Sequence, residues 1–285
     1  MTTRPGPYSA LTPLTGGTRK SLIEALRRVQ NDAANRRSGQ ASDRLAAYQQ
    51  WANNAARQLS YLLRPADLDR LVLTRRYWLL QRLPAAQGQD FYSPVDLELE
   101  ERTNDLEQAI RDLTEQDARW SAPGHVLVAD TNFFLHASQR LGDADLALAI
   151  NAHADPLHLV IPIVVVDELD ALKRTGKTGT RVRARQTLAT INQILLSGPE
   201  RRQLRPAQTL PATGGGEVLR GAVNVQVLLD PPSHQRLPIN DDEIVDRAVA
   251  VASLAERQVY LLTYDNGMRF RGRAADLLVP ELEQP

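Results

Sequence analysis

Four short segments carry carboxylates where an apolar run stops or a helical run starts: Val128-Ala-Asp130-Thr-Asn132, Val166-Asp-Glu168-Leu-Asp-Ala-Leu-Lys173, Asn240-Asp241-Asp242-Glu-Ile244 and Leu262-Thr263-Tyr-Asp265-Asn. Brought into one crevice, such like charges repel by several kcal/mol at short range in a low dielectric, about the scale of a native fold's whole stability, unless a positive charge lies among them. A hard divalent cation, Mg²⁺ or Mn²⁺, answers that need, because both prefer carboxylate and water oxygens. Softer metals have little to bind: the chain has no cysteine, and its five histidines form no pair at helical ligand spacing.

These carboxylates meet only if the surrounding elements carry them to the same edge. The apolar runs at 125–129, 157–166, 223–229 and 259–263 read as strands. Between them lie helical patterns, 181–196 with Ala184, Leu188, Ile191 and Leu195 on one face, and 242–256 with Ile244, Ala248, Val251 and Ala255. Continuous apolar strands alternating with helices predict an α/β fold with a parallel sheet covered on both faces. In such sheets sites form beyond the carboxyl ends of the strands. Asp130 ends the first strand, Glu168 lies just past the second, Asp265 follows the fourth, and Asp241 and Asp242 open the last long helix. A blander role exists for each: Asp130 as a turn residue, Glu168 as a solvated first-turn carboxylate, Asp241 or Asp242 as a helix cap, with Asn240 and Glu243 spaced as a capping box. The segment 201–221, with Pro206, Pro211 and glycines at 214–216, reads as a surface loop.

An acidic pocket alone repels a polyanion, so cations should flank it. Residues 173–205 carry 9 basic side chains against one acidic, Glu200. Lys173, Arg174, Lys177, Arg181 and Arg185 follow Glu168 closely enough to steer a phosphate backbone, and Arg269 and Arg271, with Arg273, follow Asp265 in the same way.

In order and spacing the four acidic segments resemble the motifs of PIN-domain nucleases, similar to the PIN domains of PhoH-like proteins and of the endonuclease of nonsense-mediated decay. The resemblance covers 124–285. It implies a three-layer α/β/α fold around a central parallel sheet, a Mg²⁺ or Mn²⁺ site, and endonucleolytic hydrolysis of single-stranded RNA by a metal-activated water. Carried over by position, the catalytic and metal-binding acids are Asp130, Glu168, Asp241 and Asp265, with Asn132 and Thr263 in supporting polar roles. Asp241 stands three residues before the apolar Ile244, as the family pattern places its third acid; Asp242 stays open as a ligand.

Residues 19–122 read as an all-α helical bundle: Leu22, Leu26 and Val29; then a heptad-like seam through Leu45, Tyr48, Ala52, Ala55, Leu59 and Leu62; a third helix from Pro65 bearing Leu68, Leu71, Trp78 and Leu79; and a fourth from Ser93-Pro94 with Leu99, Leu106, Ile110 and Leu113 inward. Residues 1–89 hold 14 basic and 5 acidic side chains and 90–122 hold 3 and 10, so the two stretches can fold against each other. Positioning of substrate, self-association into a homo-oligomer and restraint of activity are its open roles. Residues 1–18, rich in Thr, Pro and Gly, read as a flexible leader without the apolar core of a secretory signal, and no run spans a membrane, so the expected setting is the cytoplasm. Lys plus Arg equals Asp plus Glu at 34 each, which excludes a uniformly basic nucleic-acid coat. Gly176-Lys177-Thr178 lacks the first glycine of a phosphate loop, since position 171 is alanine, which excludes a nucleotide cofactor site of that kind. Two rival readings are a PIN-like fold kept as a nucleic-acid-binding or assembly module, and a haloacid-dehalogenase-type phosphotransferase. The latter requires Asp where this chain has Asn132.

Overall fold

The computed structural model describes residues 11, 13–14, 17–36, 44–83, 92–152, 154–196, 198–211, 216–231 and 234–282. Residues 1–10, 12, 15 and 16 of the expected leader, His153, and the glycines at 214 and 215 lie outside the described residues. The chain divides into two compact units, Met1–Ser121 and Ala122–Pro285.

The first unit is helical: α1 (Arg19–Arg36), α2 (Arg44–Leu59), α3 (Pro65–Leu71), α4 (Arg75–Gln81) and α5 (Tyr92–Trp120). Leu22, Leu26 and Val29 meet Leu45, Tyr48, Ala52, Ala55 and Leu59 and, from α5, Leu99, Leu106 and Leu113 in one buried cluster, so the heptad-like seam is intramolecular core. The helix expected from Pro65 is in fact two. Thr74 stops the first and caps the second, its hydroxyl accepting the Tyr77 N–H at 3.1 Å. The restart turns the second helix, so Tyr77 and Leu80 are buried while Trp78 and Leu79, expected inward, are exposed. Opposite charges pair between the two stretches as the sequence suggested, Arg76 lying 2.7 Å from Glu98, which is 1% exposed and also pairs within α5 with Arg102 at 3.1 Å.

The second unit runs β1 (His125–Ala129), α6 (Thr131–His136), α7 (Leu146–Ala149), β2 (Leu157–Pro162), α8 (Ile163–Thr175), α9 (Thr178–Ile194), β3 (Arg202–Arg205), β4 (Gln208–Pro211), β5 (Glu217–Arg220), β6 (Val223–Leu228), α10 (Asn240–Ala255), β7 (Val259–Leu262) and α11 (Asn266–Ala274). Five strands form one sheet in the order β3-β6-β2-β1-β7, parallel except for β3, which pairs antiparallel with β6. Every residue of β2 is buried, which requires cover on both faces and explains its unbroken apolar sequence.

Two sequence readings are corrected. The apolar run 157–166 is strand only as far as Pro162; Ile163 to Val166 begin α8, with Val164 and Val165 buried in the core, so tertiary packing overrides the strand preference of a β-branched run. The segment 201–221 is not a bare loop: Arg202–Arg205 forms the edge strand, and Gln208–Pro211 pairs with Glu217–Arg220 in a separate hairpin. Its polar, proline-bearing composition is that of an edge, which masks strands from a search for apolar runs.

Gly124 sets the start of β1. Its φ is +109°, and a Cβ there would stand 2.0 Å from the Pro156 carbonyl oxygen, the acceptor of the His125 N–H. Gly124→Ala is therefore expected to destabilise this unit by about 2 kcal/mol or more, read by denaturant unfolding, and an unchanged midpoint would contradict this account of the strand start.

Candidate active site

Strand register places the first acid. β1 and β7 pair with Ala129 beside Leu262, so Asp130 and Thr263 leave the sheet together. Connections diverge at this point: β1 leads across to β2, while β7 is reached from β6 on the far side, which opens a crevice at the strand ends. The Thr263 hydroxyl, fully buried, donates to Asp130 Oδ2 at 2.5 Å and accepts the Asp265 N–H at 3.0 Å, linking two of the acids. Each of those acids also caps the helix after it. Asp130 Oδ1 accepts the Phe133 N–H at 2.7 Å and Asp265 Oδ1 accepts the Met268 N–H at 2.9 Å. Asp130, read as an alternative turn residue, and Asp265 both serve as helix caps.

Glu168 projects from α8. Its Oε2 accepts from the Thr131 hydroxyl and its Oε1 from the Asn240 side-chain amide at 2.7 Å. Thr131 and Asn240 were absent from the expected site, although both lie inside the acidic segments; the signal was a short hydrogen-bonding side chain next to each acid. The expected Asn240–Glu243 capping box does not form, because Asn240 is held by Glu168. Glu243 is fully buried on the other side, with His234 Nε2 at 2.8 Å and the Leu237 N–H at 2.9 Å.

Asp130, Asn132, Glu168 and Asp241 line one cavity of about 430 Å³ together with Thr131 and Ile244. Asp242 turns away to Arg271, whose Nε lies 2.7 Å from it and whose Nη1 lies 3.5 Å from Asp241. Arg271, expected at substrate phosphates, is thus engaged by acids. Asp265 does not line that cavity, yet its charge acts on both Asp130 and Asp241. Burial raises the Asp130 carboxyl from 3.8 to about 7, against the lowering by the Thr263 and Phe133 hydrogen bonds and with help from the Asp265 and Asp241 charges. Asp241 is also raised, first by burial and then by Asp265, Glu168 and Asp242, while Arg271 lowers it.

The cations divide by role. Lys173 and Arg174 pair with Asp170 at 2.5 and 3.3 Å. Arg183 donates to the carbonyls of Ala137, Ser138 and Gln139, and Arg205 is buried against the Ala144 carbonyl. Lys177, just before α9, and Arg181 and Arg185 on its first half lie without a side-chain partner among the described residues, and Arg269 has a buried Nε without a hydrogen-bond partner there.

As donors, the cavity's carboxylates and amide oxygen suit a hard cation, and the raised carboxyls of Asp130 and Asp241 mark a site that gains by receiving one. Among the described residues, the side chains whose ligand atoms all lie within 4.8 Å of one another are instead Asp230, His234 and Glu243. That trio was not foreseen, and Arg236 and Arg247 already balance its charge, with Arg236 2.6 Å from Asp230 and Arg247 3.4 Å from Glu243.

The sequence model of the PIN domain matches residues 127–283, from the middle of β1 to two residues short of the end of the second unit. The chain belongs to the PIN domain family. PIN domains are in general nucleases, and they typically use divalent metals. No curated protein matches the chain. No helix among the described residues of this PIN protein is long and apolar enough to cross a membrane.

Asp130 links the site to stability. A carboxyl raised from 3.8 to about 7 binds its proton more tightly in the folded chain, so the folded state loses stability as pH rises between those values and carries the full cost above about 7. In EDTA, Asp130→Asn should therefore stabilise the protein at pH 8, by at most about 4 kcal/mol. The gain should vanish near pH 4. Thermal unfolding at both pH values checks this; a variant equally destabilised at both contradicts the burial argument.

Proposed function

We propose that the chain is a metal-dependent endoribonuclease that hydrolyses phosphodiester bonds of single-stranded RNA at the crevice of Asp130, Glu168, Asp241 and Asp265. The observation that carries this reading is the convergence of carboxylates from four separate segments, three of them lining one cavity, with Asp130 almost wholly buried and its carboxyl raised first by that burial and then by the Asp265 and Asp241 charges. A fold with no use for a cation gains nothing from that repulsion.

Asp130, Glu168 and Asp241 would hold Mg²⁺ or Mn²⁺, with Asp265 completing the set and Asn132 at the cavity wall. A cation bound there supplies charge neutralisation at the phosphodiester and a water acidic enough to act near neutral pH. Thr263 fixes the Asp130 carboxylate and ties it to Asp265, and Thr131 and Asn240 orient Glu168 from two sides. Asp241 is the third acid in this reading, since Asp242 is occupied by Arg271. Lys177, Arg181 and Arg185 would receive backbone phosphates as a track along α9, and Arg269 a phosphate beside Asp265.

The rival reading, a PIN fold kept as a nucleic-acid-binding or assembly module, draws on Arg271, a protein cation already placed between Asp241 and Asp242. Cleavage separates the two. Labelled single-stranded RNA should be cut with Mn²⁺ or Mg²⁺ and not in EDTA, and Asp130→Asn should lower the rate ~100-fold or more while remaining folded. Activity undiminished by chelator or by the variant counts against the mechanism, and inactivity of both proteins on RNA and DNA favours the module. Arg181→Ala with Arg185→Ala should raise KM ~10-fold with kcat little changed and flatten its salt dependence. A fall in kcat alone would place these arginines elsewhere.

A further inference from the structure

A second cavity lies beside the acidic one. Its volume is about 360 Å³, and its walls include Phe133, Tyr264 and Leu146, with Ser138 and Gln139 at its edge. Phe133 and Tyr264 lie parallel, 8° between planes and 6.0 Å between centroids. Both are chain neighbours of the proposed active site: the Phe133 N–H is the donor to Asp130, and Tyr264 stands between Thr263 and Asp265. The same two segments that carry the acids on one side therefore build an aromatic-walled cavity on the other.

Its chemistry selects the occupant. The lining mixes aromatic and apolar side chains with polar ones, among them Asp145 and Glu281, and among the described residues it includes no Lys or Arg to receive a phosphate. The Asp145 carboxylate is held by the Leu148 N–H and by Arg220, and the Gln139 side-chain oxygen accepts the Asp145 N–H at 3.2 Å. The Gln139 amide group is left to donate. A flat ring with hydrogen-bonding edges fits such a site, and a phosphate does not.

We propose that this cavity is a nucleobase subsite: it takes one base of a single-stranded RNA whose backbone lies at the carboxylates. The proposal rests on the nuclease reading and deepens it, since cations along α9 hold backbone while this cavity grips a base. The low aromatic content of the chain argues against an extended stacking platform and agrees with one local pocket.

The test compares the affinity of the full-length Asp130→Asn protein for two oligonucleotides of equal length, one with normal bases and one wholly abasic. The normal strand should bind about tenfold more tightly or better. Ser138→Trp, which fills the cavity from an exposed position, and Tyr264→Ala should each shrink that ratio at least about fivefold, while Tyr264→Phe keeps it. Equal affinity for the two strands overturns the subsite, as does a ratio untouched by Ser138→Trp and Tyr264→Ala. Cleavage by the wild-type chain is scored separately: a protein that grips bases without cutting would retain the subsite and lose the nuclease reading.

Discussion

One buried carboxylate, Asp130, set among partly exposed ones is the constraint on which the acidic crevice depends. Burial raises the cost of charging Asp130, and the Asp265 and Asp241 charges add to it; at Asp241 burial comes first as well, followed by the charges of Asp265, Glu168 and Asp242. The fold meets this cost with geometry. Register puts Asp130 and Thr263 side by side at the ends of β1 and β7, one hydroxyl ties Asp130 to Asp265, and each of those acids caps a helix, where N–H groups favour the negative form. The remaining imbalance is what a hard cation would relieve under the proposed function.

The same economy appears in the linking residues. Thr131, Asn240 and Thr263 each use a short side chain to hold a carboxylate oxygen, and together they join α6, α8, α10 and β7 around one cavity. None is ionisable, so none adds to the electrostatic strain. Buried polar networks of this kind are stable only when every member is satisfied, and truncating any of the three leaves an acid oxygen without its donor. Glu243 works in reverse: it is a buried carboxylate on the first turn of α10, hydrogen-bonded to His234 and paired with Arg247, and it anchors the loop ahead of Asn240 and Asp241.

Much of this was legible in the sequence because the acids follow local signals. The boundaries of β1, β6 and β7 came out within a residue of the apolar runs, and Asp130 could be put at a strand end from the sequence alone. Glu168 was misplaced in context, since Ile163 to Val166 look like strand and are helix; whether a β-branched run extends or coils depended on packing that no local pattern carries. The strands β3, β4 and β5 were invisible for the opposite reason: edge strands are polar. Trp78 and Leu79 were turned outward by a helix restart at Thr74, a three-residue break that shifts every later position around the axis.

The cations show where charge counting fails. The stretch 173–205 is strongly basic, and as a sequence it reads as one continuous track for phosphate. Folded, much of it is structural: Arg183 ties down carbonyls after α6, Arg205 is buried beside Ala144, and Lys173 and Arg174 balance Asp170. A guanidinium offers five donors in a fixed fork, so arginine is as useful for closing off carbonyls at the ends of elements as for binding phosphate, and sequence alone does not distinguish the two uses. Arg257 makes the point at the start of β1, where its Nη1 lies 2.9 Å from the carbonyls of both Ala122 and Gly124. Only after those bonds are assigned does the helix α9 stand out, because Lys177, Arg181 and Arg185 keep their charge unpaired among the described residues, and a polyanion is drawn to unpaired charge.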